Sequence, residues 1–245
     1  MRLASFVVGL VLLLAPWPAG AQLGPGPGGR APFSAQSPAQ NEAGRFDYYS
    51  LVLSWSPSFC ATQSGRGNGA QCNRRDGRHF AFVLHGLWPQ HERGWPEHCP
   101  IRDSTFVPQP VVDRMLDIMP SQRLVVHQFR KHGTCSGLDA EAYFELSRKL
   151  FESIKVPQRF ARPNQAFTVS PPEVIQAFVE ANAGMRPDQL AVVCGGAGQR
   201  LREVRICFTR DRGLRSCGAN ESPRRLCSSD RLYVPPVREG EGGLR

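Results

Sequence analysis

This 245-residue sequence is short of acidic side chains, of long apolar runs and of internal repetition. Asp and Glu number 21 against 30 Lys and Arg, leaving a net charge of +9. Such a surface suits a polyanion, nucleic acid or an acidic membrane face, unless the charge serves solubility alone. The apolar run at 3–15 is too short to cross a bilayer comfortably, and no later run is long enough. That argues against a membrane-spanning mature protein. No segment recurs at a fixed period, which excludes a solenoid or propeller of stacked repeats. What remains is one medium domain with tails, long enough to bury a core although only 41% of its residues are apolar.

The ends and the cysteines give that domain its setting. Residues 1–21 combine Arg2, the apolar run, a Pro16/Pro18 break and Ala19-Gly20-Ala21. This is the pattern of a secretory signal peptide cut after Ala21, with an uncleaved anchor as the alternative. Residues 22–44, rich in Gly, Pro, Ser and Gln, read as a flexible linker, and the Gly-rich stretch 239–245 as a disordered tail. The folded domain is expected over 45–238. All eight cysteines, Cys60, Cys72, Cys99, Cys135, Cys194, Cys207, Cys217 and Cys227, fall in the exported part. An even number in an exported chain reads as disulfides.

The domain opens with two strand candidates, 46–55 and 79–89. In the second, alternation puts Phe80, Phe82 and Leu84 on one face and Ala81, Val83 and His85 on the other. Gly86 and Pro89 are expected to end it, leaving His85 at a strand end. Helical periodicity follows: a short helix closed by Pro120, a second capped by Ser121 and stopped at Gly133, a third capped by Asp139. A further helix starts at Ser170 ahead of Pro171-Pro172-Glu173 and buries Val174, Ile175, Phe178 and Val179. Strands return at 189–194, 203–208 and 231–234. Strands early and late with helices between them predict an α+β domain.

The stretch VVHQFRKHGTC, 125–135, carries the chemistry. On a helix of about 100° per residue, His127 stacks with Lys131 and Gln128 with His132. Phe129 points to the opposite side, toward a core. Zinc helices space histidines i, i+4 with a carboxylate nearby. Here the spacing is i, i+5, the segment has no acid, and Lys131 would repel a divalent cation. No metal or other cofactor is expected. His85 supplies another imidazole, and Trp88 an indole suited either to a core gap or to stacking on a base. Two imidazoles can work as acid and base while a lysine and a third imidazole hold a phosphate. Without a thiol nucleophile, that set suits phosphodiester cleavage by an internal nucleophile, which RNA has in its 2′-hydroxyl and DNA lacks.

The blocks FVLHGLWP (82–89) and HQFRKHGTC (127–135), in that order, resemble those of the ribonuclease T(2) family, the exported acid ribonucleases, specifically its bacterial-type members. The likeness is expected to cover 46–234. It implies an α+β fold with a central, largely antiparallel sheet flanked by helices and bonded by disulfides. It implies metal-independent endonucleolytic cleavage of single-stranded RNA through a 2′,3′-cyclic phosphate. By position, His132 resembles the general base, His85 the general acid, and His127 and Lys131 the phosphate holders. Gln128 stands where the family has glutamate, and Phe129 where it has tryptophan. Trp88 and Gln90 resemble substrate-binding positions, with Gln90 in place of an acid many members carry, so purine preference is not implied and low base specificity is expected. The likeness implies Cys99–Cys135 and Cys194–Cys227 bridges, and local spacing suggests Cys60–Cys72 and Cys207–Cys217. His79, His91 and His98 match no motif position and read as surface or loop residues. The expected protein is a secreted or periplasmic monomer acting on RNA, without metal and, when mature, without membrane. The alternatives are a non-catalytic RNA-binding or toxin-like protein on the same scaffold, and a phosphoesterase for small cyclic nucleotides.

Overall fold

The computed structural model describes residues 41–237 apart from 73, 75 and 103. The expected signal peptide, most of the expected linker and the expected tail lie outside the described residues. Six strands form one sheet: β1 (Tyr48–Trp55), β2 (Phe82–Gln90), β3 (Phe167–Val169), β4 (Leu190–Gly195), β5 (Arg200–Phe208) and β6 (Leu232–Val234). Their order is β2-β1-β5-β6-β3, with β4 also paired to β5. Every pairing is antiparallel except a single parallel step between Arg200 and Tyr233. The helices are α1 (Ser56–Cys60), α2 (Gln63–Arg66), α3 (Gln109–Met115), α4 (Gln122–Lys131), α5 (Ala140–Ser153), α6 (Gln158–Ala161), α7 (Pro171–Ala181) and α8 (Pro223–Leu226). The α+β class is as the order of elements predicts, and the largely antiparallel sheet is as the family resemblance implies.

Alternation along β1 explains the layering. Tyr49, Leu51, Leu53 and Trp55 join Leu84, Leu87, Val204, Ile206 and Phe208 in one core with the buried faces of α3, α4, α5 and α7. Residues of the other parity, including Ser50, Trp88, Glu203 and Arg205, share the opposite face through the pairs Ser50↔Trp88, Val52↔Arg205 and Ser54↔Glu203.

Capping side chains start the helices where expected. Ser121 accepts from the Leu124 amide at 3.4 Å, Asp139 from Ala142 at 2.8 Å, and Ser170 with Glu173 forms a reciprocal capping box. In α7 only Val174 and Phe178 of the expected stripe are fully buried; Ile175 and Val179 are half-covered.

Several local expectations change. α3 stops at Met115 rather than Pro120, and beyond it the Ile118 carbonyl accepts from the Leu84 amide of β2 at 2.8 Å. β2 does not end at Gly86 but runs on to Gln90, and His85 lies within it at a register shift opposite Val52/Leu53. β3 and the four-residue helices were too short to show a period. Residues 41–44, expected as linker, are held to the domain: Asn41 Oδ1 accepts from the Glu97 amide at 3.0 Å and the Gly44 amide donates to Cys135 at 3.0 Å.

Four disulfides close Cys60–Cys72, Cys99–Cys135, Cys194–Cys227 and Cys207–Cys217, and no free cysteine occurs among the described residues.

Candidate active site

α4 delivers most of the site. Phe129 and Val125 are fully buried and lock the helix to the core, with Phe129 against Tyr143 and Phe144 of α5. The opposite face then carries His127, Gln128 and Lys131. His132 is the C-cap, one residue beyond the last helical position, and the chain continues as a 3-10 turn over Gly133–Ser136. Gly133 serves close packing: a Cβ there would lie 2.4 Å from Phe129 Cδ2. The turn is pinned by the Cys99–Cys135 bridge and by the His98 amide, which donates to the Lys131 carbonyl at 2.8 Å.

β2 delivers His85 and Trp88. Counted from the core residue Leu84, alternation puts His85 on the opposite face, as expected, but would leave Leu87 outside and Trp88 in the core. The β-bulge at His85 adds one residue to β2, so Leu87 enters the core and Trp88 joins His85 on the opposite face. There His85 Nδ1 lies 2.8 Å from Glu203 Oε1 of β5.

All seven sequence candidates, His85, Trp88, Gln90, His127, Gln128, Lys131 and His132, line one cleft of about 240 Å³, joined by Trp95 and Arg205. Trp88 is its centre. The indole stacks on His132 with ring centroids 4.8 Å apart and planes 18° from parallel. It meets His85 edge-on at 5.2 Å. Its Nε1–H donates to Gln128 Oε1 at 2.7 Å, and the Arg205 guanidinium lies 4.9 Å from the ring centroid. The indole is therefore engaged within the protein as a spacer between two imidazoles. Gly86 permits this: a Cβ there would lie 2.1 Å from Gln128 Oε1 and 2.5 Å from Trp88 Nε1.

Two candidates have structural partners. Gln128 is buried and spends its amide oxygen on Trp88. Gln90 is buried too, and its Oε1 accepts from Asn220 Nδ2 at 3.1 Å. Lys131 Nζ stands 3.3 Å from Glu97, both side chains half-exposed. His98 is exposed as expected, yet its charge reaches His127 and His132. His79 and His91 line no part of the cleft.

The electrostatics separate the groups. Burial, reinforced by Lys131 and the neighbouring histidines, drives His132 down to about 2, so it is a neutral imidazole at any ordinary pH. Burial and then Lys131 also lower His127. Glu203 behaves the other way: burial opposes its ionisation, but the His85 hydrogen bond, the His85 charge and Arg205 outweigh it and hold the carboxyl at about 2. Arg205 Nη2 and Nε bind Glu203 Oε2 at 3.0 and 3.2 Å. A neutral imidazole, an imidazole on a fixed carboxylate and clustered cations can accept one proton, donate another and hold an anion between them. Among the described residues, no group of three or more His, Cys, Asp or Glu is placed to hold a metal ion.

Sequence reasoning missed Glu203, Arg205, Trp95 and Glu97. For the first two a signal was present: both lie on the polar side of an alternating strand. Which cleft that side faces depends on the β1–β5 register.

Known proteins resemble this chain in sequence and in fold. A "Ribonuclease" from Aeromonas hydrophila is 34% identical over 216 residues, 84% of this chain and 85% of that one. "Ribonuclease I" of Escherichia coli K12 is 27% identical over 225 residues, 74% of this chain and 82% of that one. The fold superimposes on RNase NT, solved with 5′-AMP, with a TM-score of 0.58 at 23% identity, covering 78% of this chain and 99% of that one. A sequence model described as the Ribonuclease T2 family matches residues 46–217, both histidine blocks included, and the chain belongs to that family.

Proposed function

We propose that this chain is an exported endoribonuclease that cleaves single-stranded RNA by transphosphorylation through a 2′,3′-cyclic phosphate, without a metal. The observation that carries this reading is the placing of His132 and His85 about one indole, His132 buried and neutral, His85 with its Nδ1 on the Glu203 carboxylate. His132, neutral and buried, takes the proton of the ribose 2′-hydroxyl. The 2′-oxygen attacks phosphorus, the P–O5′ bond breaks, and His85 gives its Nε2 proton to the departing 5′-oxygen. Lys131, His127 and Arg205 offset the charge that grows on the phosphoryl oxygens. Attack on the phosphate by the 2′-hydroxyl confines the substrate to RNA.

Low base specificity is supported by Gln90, which is buried, with its amide oxygen accepting from Asn220 and its amide nitrogen donating to the Pro89 carbonyl. Export is supported by the four disulfides, which persist in oxidising compartments, secreted or periplasmic. The ribonuclease domain is proposed to span 41–238, four residues longer at its start than composition suggests.

Purified protein in EDTA is expected to degrade RNA and leave matched DNA intact from acid to neutral pH. His85→Ala and His132→Ala are each expected to lower kcat on RNA by about three orders of magnitude with the fold retained. Loss of activity in EDTA, or normal cleavage by both variants, would overturn the mechanism.

A further inference from the structure

α4 brings no acid to the cleft, and its Gln128 is buried under the indole, so the anion at the catalytic pair comes from another strand. We infer that Glu203 is a positioning residue for proton delivery: its carboxylate accepts the Nδ1 proton of His85 and so presents Nε2–H to the leaving oxygen. The inference rests on the proposed role of His85 and adds a residue to it.

Three observations carry it. The two oxygens of Glu203 are divided, Oε1 to His85 Nδ1 at 2.8 Å and Oε2 to Arg205 at 3.0 and 3.2 Å. Arg205 thereby fixes the carboxylate, and the carboxylate fixes the ring. The Glu203 side chain is only 14% exposed, so water competes little for these bonds. Finally, His85 sits in the bulge of β2, off the regular ladder, so its aim depends on a side-chain partner as well as on strand geometry. Trp88, edge-on at 5.2 Å, limits the ring on another side.

The charges about His85 come from two elements. His127, Lys131 and His132 face it from α4, and Glu203 with Arg205 from β5. In that company Glu203 places a carboxylate in direct contact with the His85 ring. Glu203 itself takes no proton. The proton that moves leaves His85 Nε2 for the 5′-oxygen, while Nδ1–H stays between ring and carboxylate.

The test compares Glu203→Gln with wild type on two substrates: single-stranded RNA, whose alkoxide leaving group needs a proton, and uridine 3′-(4-nitrophenyl phosphate), whose phenolate does not. The expected result is a loss in kcat on RNA of at least about tenfold with KM little changed, a loss below about threefold on the aryl ester, and an alkaline limb of the RNA pH–rate profile moved to lower pH. Glu203→Asp is expected to recover part of the loss on RNA. Equal losses on both substrates, or no loss on RNA, would mean Glu203 only shapes the fold or does nothing. Nitrogen NMR of labelled wild-type protein provides a readout independent of any variant: His85 Nδ1 is expected to carry its proton at neutral pH, and an unprotonated Nδ1 overturns the inference. His85→Ala separates the two levels. If it cleaves RNA normally, the proposed mechanism fails. If it is inactive while Glu203→Gln matches wild type, only the role of Glu203 fails.

Discussion

Gln128 illustrates, at the scale of one residue, how an exchanged letter changes what a site is made of. Its oxygen accepts the indole proton of Trp88 in a buried setting, and Trp88 in turn carries His132 on its face. Gln128→Glu keeps that acceptor and adds an anion beside a histidine held neutral by burial and Lys131. The expected outcome is a pH–rate profile whose acid limb moves to higher pH, since the carboxylate favours the imidazolium form of His132 and the base is then lost at a higher pH. Gln128→Leu leaves the indole N–H unpaired and is expected to destabilise the protein by about 1–3 kcal/mol in urea unfolding, with a parallel loss of activity. The polar candidate side chains could be proposed from 82–90 and 127–135 because each sits in or beside a motif block. Trp88 could not be assigned in this way. An indole suits a core, a base platform or a spacer equally well, and only its neighbours select among them.

At the scale of elements, α4 was legible and β2 only as far as its bulge. Ser121, the apolar Val125 and Phe129, and the polar face between them encode a capped amphipathic helix within ten residues, a local problem that periodicity solves. β2 carries the same alternation, but the bulge beside His85 arises from pairing with β1, which lies about thirty residues earlier in the chain. A one-residue slip reverses every side chain beyond it, so the alternation placed His85 correctly but the face Trp88 occupies was out of reach of the sequence pattern. The next residue depends on the same geometry. Gly86→Ala is expected to push Gln128 and Trp88 apart, lowering both the melting temperature and RNA cleavage, because the new Cβ would meet Gln128 Oε1 at 2.1 Å. Thermal melts and rates on the same preparation check this; a variant that keeps full activity would show that the Gly86–Gln128–Trp88 contact has slack.

At the scale of the whole molecule, pH couples the site to stability. His132 is held down to about 2 in the folded protein, whereas an unfolded histidine binds its proton near pH 6.5. Below about 6.5 the unfolded chain therefore takes up a proton that the folded one refuses, and stability falls as the pH drops from there toward 2. Glu203 acts in the same direction over a lower window, from the ordinary glutamate range down to about 2. Replacing His132 with Leu is expected to flatten the fall of melting temperature between pH 7 and 4; an unchanged slope would show that His132 is not held neutral. The basic surface, the even cysteines and the α+β order of elements are global properties that composition and local pattern carry by themselves. So are the motif residues, because each needs only its own identity and its place in the chain. The tertiary structure decided what those residues do to one another. It set Trp88 between two imidazoles and supplied Glu203 and Arg205 from a strand about seventy residues beyond α4. It also gave one histidine burial and the other a carboxylate. Charge preference depends on distance and on exclusion of water, and neither exists until the sheet register and the helix packing bring separate segments together.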